Sequence, residues 1–132
     1  MSRILVDSSI WIEFFRRPDA PASLVLDHLL AHHLVCTTGL IKAEVVPGAQ
    51  SPRDFRRLRL LFDALPLAPE REGFWAHLTR FRYRLHVNGI LGISIPDLII
   101  ATVAIQNRKL VFTADEDFAR MMPCVPVRLF TR

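Results

Sequence analysis

The sequence has few cysteines and no long hydrophobic run. Its two cysteines, Cys36 and Cys124, lie far apart and outside any metal-ligand spacing, so neither a disulfide framework nor a zinc ribbon is expected. Unbroken apolar stretches such as residues 4–6 and 98–101 are far shorter than the ~20 residues that cross a bilayer. The three apolar residues at the start are also too few for the ~7 to 15 of a secretory signal. We therefore expect a cytoplasmic protein that does not contact a membrane.

Lysine is also scarce, because 15 of the 17 basic residues are arginine. The 132 residues are 51% hydrophobic and 23% charged, which excludes a disordered or fibrous chain and predicts one globular domain over residues 1–132. The formal net charge is +4. Arginine presents a planar fork of donors that suits phosphate, so this composition is compatible with a nucleic-acid partner or with an acidic protein partner.

Strand-like and helix-like segments alternate along the whole chain. This alternation predicts an α/β fold with a parallel sheet that helices cover on both faces. Prolines at 66 and 126 place two of the strands at sheet edges, because proline cannot donate to a central ladder. The predicted strands cover residues 3–6, 34–38, 65–68, 110–113 and 125–130. The predicted helices include residues 10–17, 22–33, 53–62, 70–86, 98–105 and 115–122.

Acidic residues follow several of these strands, where an open parallel sheet places its ligand site. Each acid alone has an ordinary explanation as a helix cap, a turn acceptor or a solvated side chain. Together they would repel, by about 4 kcal/mol for two carboxylates ~4 Å apart at an effective dielectric of ~20, so the group predicts a bound cation. Oxygen ligands favour Mg²⁺ or Mn²⁺, and the nearby Lys42 should point elsewhere. The acids are Asp7, Glu44, Asp97, Asp115 and Asp117.

Four segments in the same order resemble the motifs of the PIN-domain ribonucleases, in particular the VapC-type toxins of toxin-antitoxin systems. The resemblance spans about residues 4–130, and residues 49–92 contribute no motif to it. It implies a single PIN-like domain with a five-stranded parallel sheet in the order 3-2-1-4-5, flanked by helices. The segments are VDSSIWIEFF at 6–15, Glu44 with Gly48, PDLIIATVA at 96–104 and LVFTADEDF at 110–118.

The resemblance also implies roles for individual residues. The catalytic, metal-binding acids would be Asp7, Glu44, Asp97 and Asp115, with Asp117 as a further metal ligand. Ser9 and Thr113 would support them, whereas helix capping or a solvated face explains Ser8, Glu13 and Glu116 equally well. One departure is Thr102, which stands where the family more often has alanine.

The resemblance implies a Mg²⁺-dependent endoribonuclease that a VapB-type antitoxin inhibits and that forms a homodimer. Because a metal-activated water would attack the phosphodiester, the products would carry 5′-phosphate and 3′-hydroxyl ends. Nothing in the motifs names the RNA that is cleaved, and a nuclease acting on DNA is an alternative.

Other interpretations use the same residues. Arg80 and Arg84, which are interleaved with aromatic residues, could bind nucleic acid or could form a solvated basic face. A PIN-like module that binds RNA or protein without cleaving is an alternative to the nuclease. A receiver-type signalling domain would also use a parallel sheet, Mg²⁺ and carboxylates, but it needs an acidic pair near the first strand, where this chain has Asp7 and Ser8.

Overall fold

The computed structural model describes residues 2–131 and has a short parallel sheet at its centre. The middle strand pairs in parallel with both neighbours, in the order β2-β1-β3. Every residue of the three strands is buried, as expected of a parallel sheet with helices on both faces. The predicted α/β class is therefore confirmed. The strands are β1 (Ile4–Val6), β2 (Val35–Cys36) and β3 (Val111–Phe112).

The prediction of five strands is wrong in number. Within residues 2–131 the two outer segments form only isolated parallel bridges, from Thr37 beside β2 to Leu67 and from β3 to Leu129. These bridges lie on the sides where the predicted order places its outer strands. Pro66 and Pro126 explain why the bridges do not lengthen into strands, because a proline has no N–H for the ladder.

Helices cover the sheet and begin at identifiable caps. Predicted residues 70–73 are not helical, because Gly73 holds a left-handed backbone (φ 78°) just before the helix begins. The buried helix begins at residue 95 and not at 98, because Ser94 caps it. The helices are α1 (Ser8–Arg16), α2 (Pro21–Ala31), α3 (Gly39–Val45), α4 (Pro52–Asp63), α5 (Phe74–Val87), α6 (Ile95–Gln106) and α7 (Asp117–Met121).

The core joins the first helix and the sixth helix to the sheet. In α1, the fully buried Trp11 packs against Phe62 of α4 with ring centroids 4.7 Å apart. α6 is buried on most of its surface, as its apolar sequence predicts, and it holds the hydroxyl of Thr102 against the Leu98 carbonyl at 2.7 Å. Because that hydroxyl has a partner, the helix accommodates this departure from the family pattern. No helix in residues 2–131 is long and apolar enough to cross a membrane.

Candidate active site

Asp7 lies where β1 ends and α1 begins, and its carboxylate is almost completely buried. The side chain is 2% exposed, and its Oδ2 atom accepts hydrogen bonds from Ser9 at 2.8 Å and from Thr113 at 2.9 Å. Its Oδ1 atom is also buried but has no hydrogen-bond partner within residues 2–131. Leaving a buried carboxylate oxygen without a partner costs free energy, so this atom is placed for a ligand that the protein does not itself supply.

The two hydroxyls that hold Asp7 also connect the ends of β1 and β3. Ser9 accepts a hydrogen bond from the Ala114 N–H at 3.0 Å, and Thr113 accepts one from the Asp115 N–H at 2.9 Å. Each hydroxyl therefore donates to Asp7 and accepts from the segment after β3. The structure thus places the predicted supporting residues in direct contact with the first acid.

Asp97 lies in the first turn of α6 but does not cap it. The Ser94 hydroxyl accepts the Asp97 N–H at 3.2 Å and so takes the capping role, which leaves the half-buried Asp97 carboxyl free. The helix cap is therefore Ser94, three residues earlier, and capping does not account for the carboxyl group of Asp97.

Asp97, Asp115 and Asp117 form a compact acidic trio. One carboxylate oxygen from each lies within 4.8 Å of the others. Asp115 uses Oδ1 to accept the Asp117 N–H at 2.9 Å, which closes the turn before α7. Because α6 and the segment after β3 approach the same edge of the sheet, residues 18 positions apart in sequence meet here.

The trio and Asp7 influence each other electrostatically. The pKa of Asp97 is raised to about 7, mainly by burial and in part by the negative charges of Asp115 and Asp7. Burial also raises the pKa of Glu44, again with a contribution from the charge on Asp7, while the Ser8 hydroxyl lowers it. Neutral carboxyl groups are thus favoured when no cation is present, as expected of a cluster that carries excess negative charge.

Glu44 lies near Asp7 but outside the compact trio. It projects from α3 and lines a groove of 330 Å³ together with residues of α1 and α4. Its neighbour Lys42 forms an ion pair with Asp63 on α4, so the base points away from the acids, as predicted. Of the five predicted acids, three form the cluster, and the charge of Asp7 acts on both Asp97 and Glu44.

Arg120 was not predicted as part of the site. Its guanidinium donates to the Asp117 carboxylate at 2.9 Å and to the Leu91 carbonyl at 2.6 Å. It therefore anchors one acid of the trio to the loop that precedes α6. The spacing of three residues between Asp117 and Arg120 on a helix was the available signal, but such pairs are common on exposed helices.

The structure does not bring the predicted nucleic-acid residues into the acidic trio. Arg80 and Arg84 are exposed on α5, and the Arg84 guanidinium lies over the buried Phe81 ring at 5.8 Å from its centroid. Of the weaker candidates, Glu13 faces Arg17 at 3.9 Å and Glu116 is exposed. None of these four side chains belongs to the cluster.

The residues present fit a divalent cation. The trio offers carboxylate oxygens as donors, and Asp7, whose charge acts on Asp97, has a buried Oδ1 atom with no partner among the described residues. Hard ions such as Mg²⁺ and Mn²⁺ prefer such oxygen ligands, and a cation would offset the burial and the neighbouring negative charges that raise the pKa of Asp97. The acidic trio is thus a candidate metal site, and the ligand role predicted for Asp7 stays a prediction.

Comparison with known proteins identifies the family. A family model of the PIN domain matches residues 4–122, which is most of the chain, so the chain belongs to the PIN domain family. This membership excludes the receiver-type signalling domain. No curated protein sequence matches the chain at a significant level.

Solved structures agree with this fold. VapBC-1 from nontypeable Haemophilus influenzae superimposes with a TM-score of 0.77 at 18% identity and 96% coverage of both chains. DNA-bound VapBC from Salmonella typhimurium gives 0.78 at 18% identity, with 98% of both chains covered. VapBC-5 from Mycobacterium tuberculosis, a member of the VapBC family of toxin-antitoxin systems, gives 0.68 at 22% identity over 100% of both chains. At these identities the likeness shows a shared fold.

The raised pKa of Asp97 predicts that Asp97→Asn stabilises the metal-free protein at high pH. The folded state binds this proton more tightly than the unfolded chain, whose pKa is near the ordinary 3.8, so the stabilisation present below about pH 4 is lost as pH rises through 7. After discounting for solvent screening, we expect Asp97→Asn to gain about 1–2 kcal/mol at pH 8. Thermal unfolding in EDTA at pH 4.5 and pH 8 measures this. An equal effect of the substitution at both pH values would contradict it.

The position of Thr113 between Asp7 and Asp115 predicts that its hydroxyl supports metal binding. Thr113→Val keeps the shape of the side chain but removes the donor to Asp7 and the acceptor for the Asp115 N–H. We expect the affinity for Mn²⁺, measured by titration calorimetry, to fall about 10- to 100-fold. Thr113→Ser retains the hydroxyl and should bind Mn²⁺ as the wild type does. Equal affinities of the valine and serine variants would show that the hydroxyl has no such role.

Proposed function

We propose that this protein is a divalent-metal-dependent endoribonuclease and acts as a VapC-type toxin. The observation that carries the proposal is the buried, unpartnered Oδ1 atom of Asp7 beside an acidic trio at the carboxyl end of the sheet. A purely structural carboxylate would have its oxygens hydrogen-bonded. Membership of the PIN family and the structural likeness to VapBC proteins of toxin-antitoxin systems support the same conclusion.

The chain's own residues would prepare the site for phosphodiester hydrolysis. Asp7, Asp97, Asp115 and Asp117 would hold Mg²⁺ or Mn²⁺, and Ser9 and Thr113 keep Asp7 in the ligating position. When bound, such an ion activates water and stabilises negative charge on the leaving oxygen. Burial and the charge of Asp7 raise the pKa of Glu44, and a raised pKa makes this carboxylate a better proton acceptor. Attack by water gives 5′-phosphate and 3′-hydroxyl ends.

The substrate class is proposed from charge and from the family resemblance. A net charge of +4, almost entirely from arginine, attracts a polyanion to a protein whose site is itself acidic. On α5, Arg80 and Arg84 are exposed, and α5 packs against α6, which carries Asp97. We propose that these two arginines bind phosphates that flank the cleaved bond. The cytoplasm would be the compartment of such a nuclease.

Asp97→Asn should abolish RNA cleavage. We expect the rate to fall at least 10²-fold, because one metal-binding carboxylate is lost, and EDTA should have the same effect on the wild type. The measurement is cleavage of total cellular RNA with Mg²⁺, followed by mapping of the 5′ and 3′ end groups. Asp27→Asn, which removes an exposed acid from α2, is the matched control and should cleave normally. Products with 2′,3′-cyclic phosphates, or full activity of Asp97→Asn, would refute the mechanism.

We further propose that a VapB-type antitoxin places a segment in the groove between α1 and α4. Ile12 and Phe15 expose 39% and 38% of their surface there, although both are large apolar residues, and Leu58 also contributes to the lining. Glu44 lines the same groove and adjoins Asp7, so a segment that fills the groove would also cover the entrance to the acids. The homodimer that the resemblance implies stays a prediction.

Phe15→Ala should weaken inhibition by the antitoxin. A partly exposed aromatic ring in a groove is a typical contributor to binding, so we expect at least a 10-fold higher antitoxin concentration for half-inhibition. Each variant's inhibition is measured relative to its own uninhibited cleavage rate. Trp75→Ala removes an aromatic side chain that is 62% exposed on α5 and is the control. If both variants, or neither, change the half-inhibition concentration, the groove is not the antitoxin site.

A further inference from the structure

We propose a second nucleic-acid-binding surface at the amino-terminal edge of the sheet, which binds the phosphate backbone of a folded RNA. This inference rests on the proposed function, since it assumes that RNA is the substrate. We call the surface the basic edge and define it by four cationic side chains. They are Arg3, Arg108, Lys109 and Arg128.

The strand register brings these residues together. Leu5 pairs with Val111 in the parallel register. Arg3 and Lys109 each precede these residues by two positions, so they lie side by side just before β1 and β3. Arg108, Lys109 and Arg128 line one cavity of 150 Å³. A cavity of that size with three cations around it suits a phosphate group.

The basic edge has no acidic partner within the part of the chain that the structure describes. The ion pairs found there involve other basic residues, and the Lys109 ammonium contacts only the Ser2 hydroxyl, at 3.2 Å. Burial raises the pKa of the Cys36 thiol, whereas Lys109 and Arg3 both lower it, so the two cations lie close enough to act on the same buried group. Four uncompensated positive charges therefore favour an anionic ligand.

Helix termination does not account for the basic edge. Arg108 follows α6 in a left-handed backbone conformation (φ 54°), which costs a residue with a side chain roughly 1–2 kcal/mol and favours glycine or asparagine. Cations after a helix end do interact well with its dipole, but Arg3 and Arg128 belong to no helix. The four charges thus converge from three separate segments of the chain.

The position of the basic edge indicates a folded RNA. The edge lies at the amino ends of the strands, whereas the acidic trio lies at their carboxyl ends. The step of four residues along the chain from Arg3 to Asp7 spans about 13 Å. A short single strand threaded through the acids follows the opposite side of the sheet. A folded RNA presents phosphates on several sides and can contact both surfaces at once.

The test is RNA binding by Arg108→Gln/Arg128→Gln in an Asp97→Asn background, where the proposed cleavage is removed. The probe is fluorescently labelled bulk transfer RNA, measured by anisotropy over a range of KCl concentrations. We expect about 5- to 20-fold weaker binding and a log–log salt slope smaller by about 2, because two phosphate contacts are lost. The matched control is Arg53→Gln/Arg56→Gln on α4, which removes the same charge. A 12-nucleotide single-stranded RNA should lose less than 2-fold.

Several results would overturn the basic edge. Equal losses in the α4 control would show a general charge effect, and equal losses for the 12-nucleotide RNA would show that folding is not what the edge recognises. Unchanged transfer RNA binding, or an equal dependence for a 20-base-pair DNA duplex, would also reject it. Cleavage by the protein with Asp97 intact is assayed separately. Its failure would refute the proposed nuclease and leave this binding result to stand by itself.

Discussion

The site depends on a buried carboxylate that the protein holds by one oxygen only. Ser9 and Thr113 both donate to Oδ2 of Asp7, and neither reaches Oδ1. This asymmetry depends on the parallel pairing of Val6 with Phe112, because Asp7 and Thr113 directly follow these two strand ends. Since a buried oxygen without a partner costs about 1–3 kcal/mol or more, the surrounding structure has to supply that free energy.

The apolar core supplies it. β1 is completely buried, and α6 carries Asp97 at its first turn on a segment that is otherwise apolar and packed on most sides. Burial of these elements holds one carboxylate oxygen from each of three acids within 4.8 Å of the others, and burial together with the charges of Asp115 and Asp7 raises the pKa of Asp97. Holding like charges together in this way lowers the stability of the folded protein and favours ligand binding, which is common at functional sites.

The sequence allowed the acids and the sheet to be predicted but not their detailed geometry. Acids after apolar strands are visible in a linear pattern, because parallel strand ends converge by topology. The number of strands was not predictable, because the sequence does not show which N–H groups of a segment face the neighbouring strand. That orientation decides whether Pro66 ends a strand or interrupts its ladder. The roles of Ser94 and Arg120 were not predictable either. Several local residues can cap a helix or accept from an arginine, and tertiary contacts decide which of these interactions forms.

The excess of arginine over lysine also has a structural reason at this site. Arg120 reaches the Asp117 carboxylate with one nitrogen and the Leu91 carbonyl with another, and Arg82 donates to the Ile93 carbonyl at 2.6 Å. Two guanidinium groups thus hold the loop that leads into α6. A lysine ammonium has no planar fork that reaches two acceptors in this fixed geometry. Arg82 and Arg120 therefore position the start of α6 through this loop, whereas the arginines of the proposed basic edge would leave their charge for an external anion.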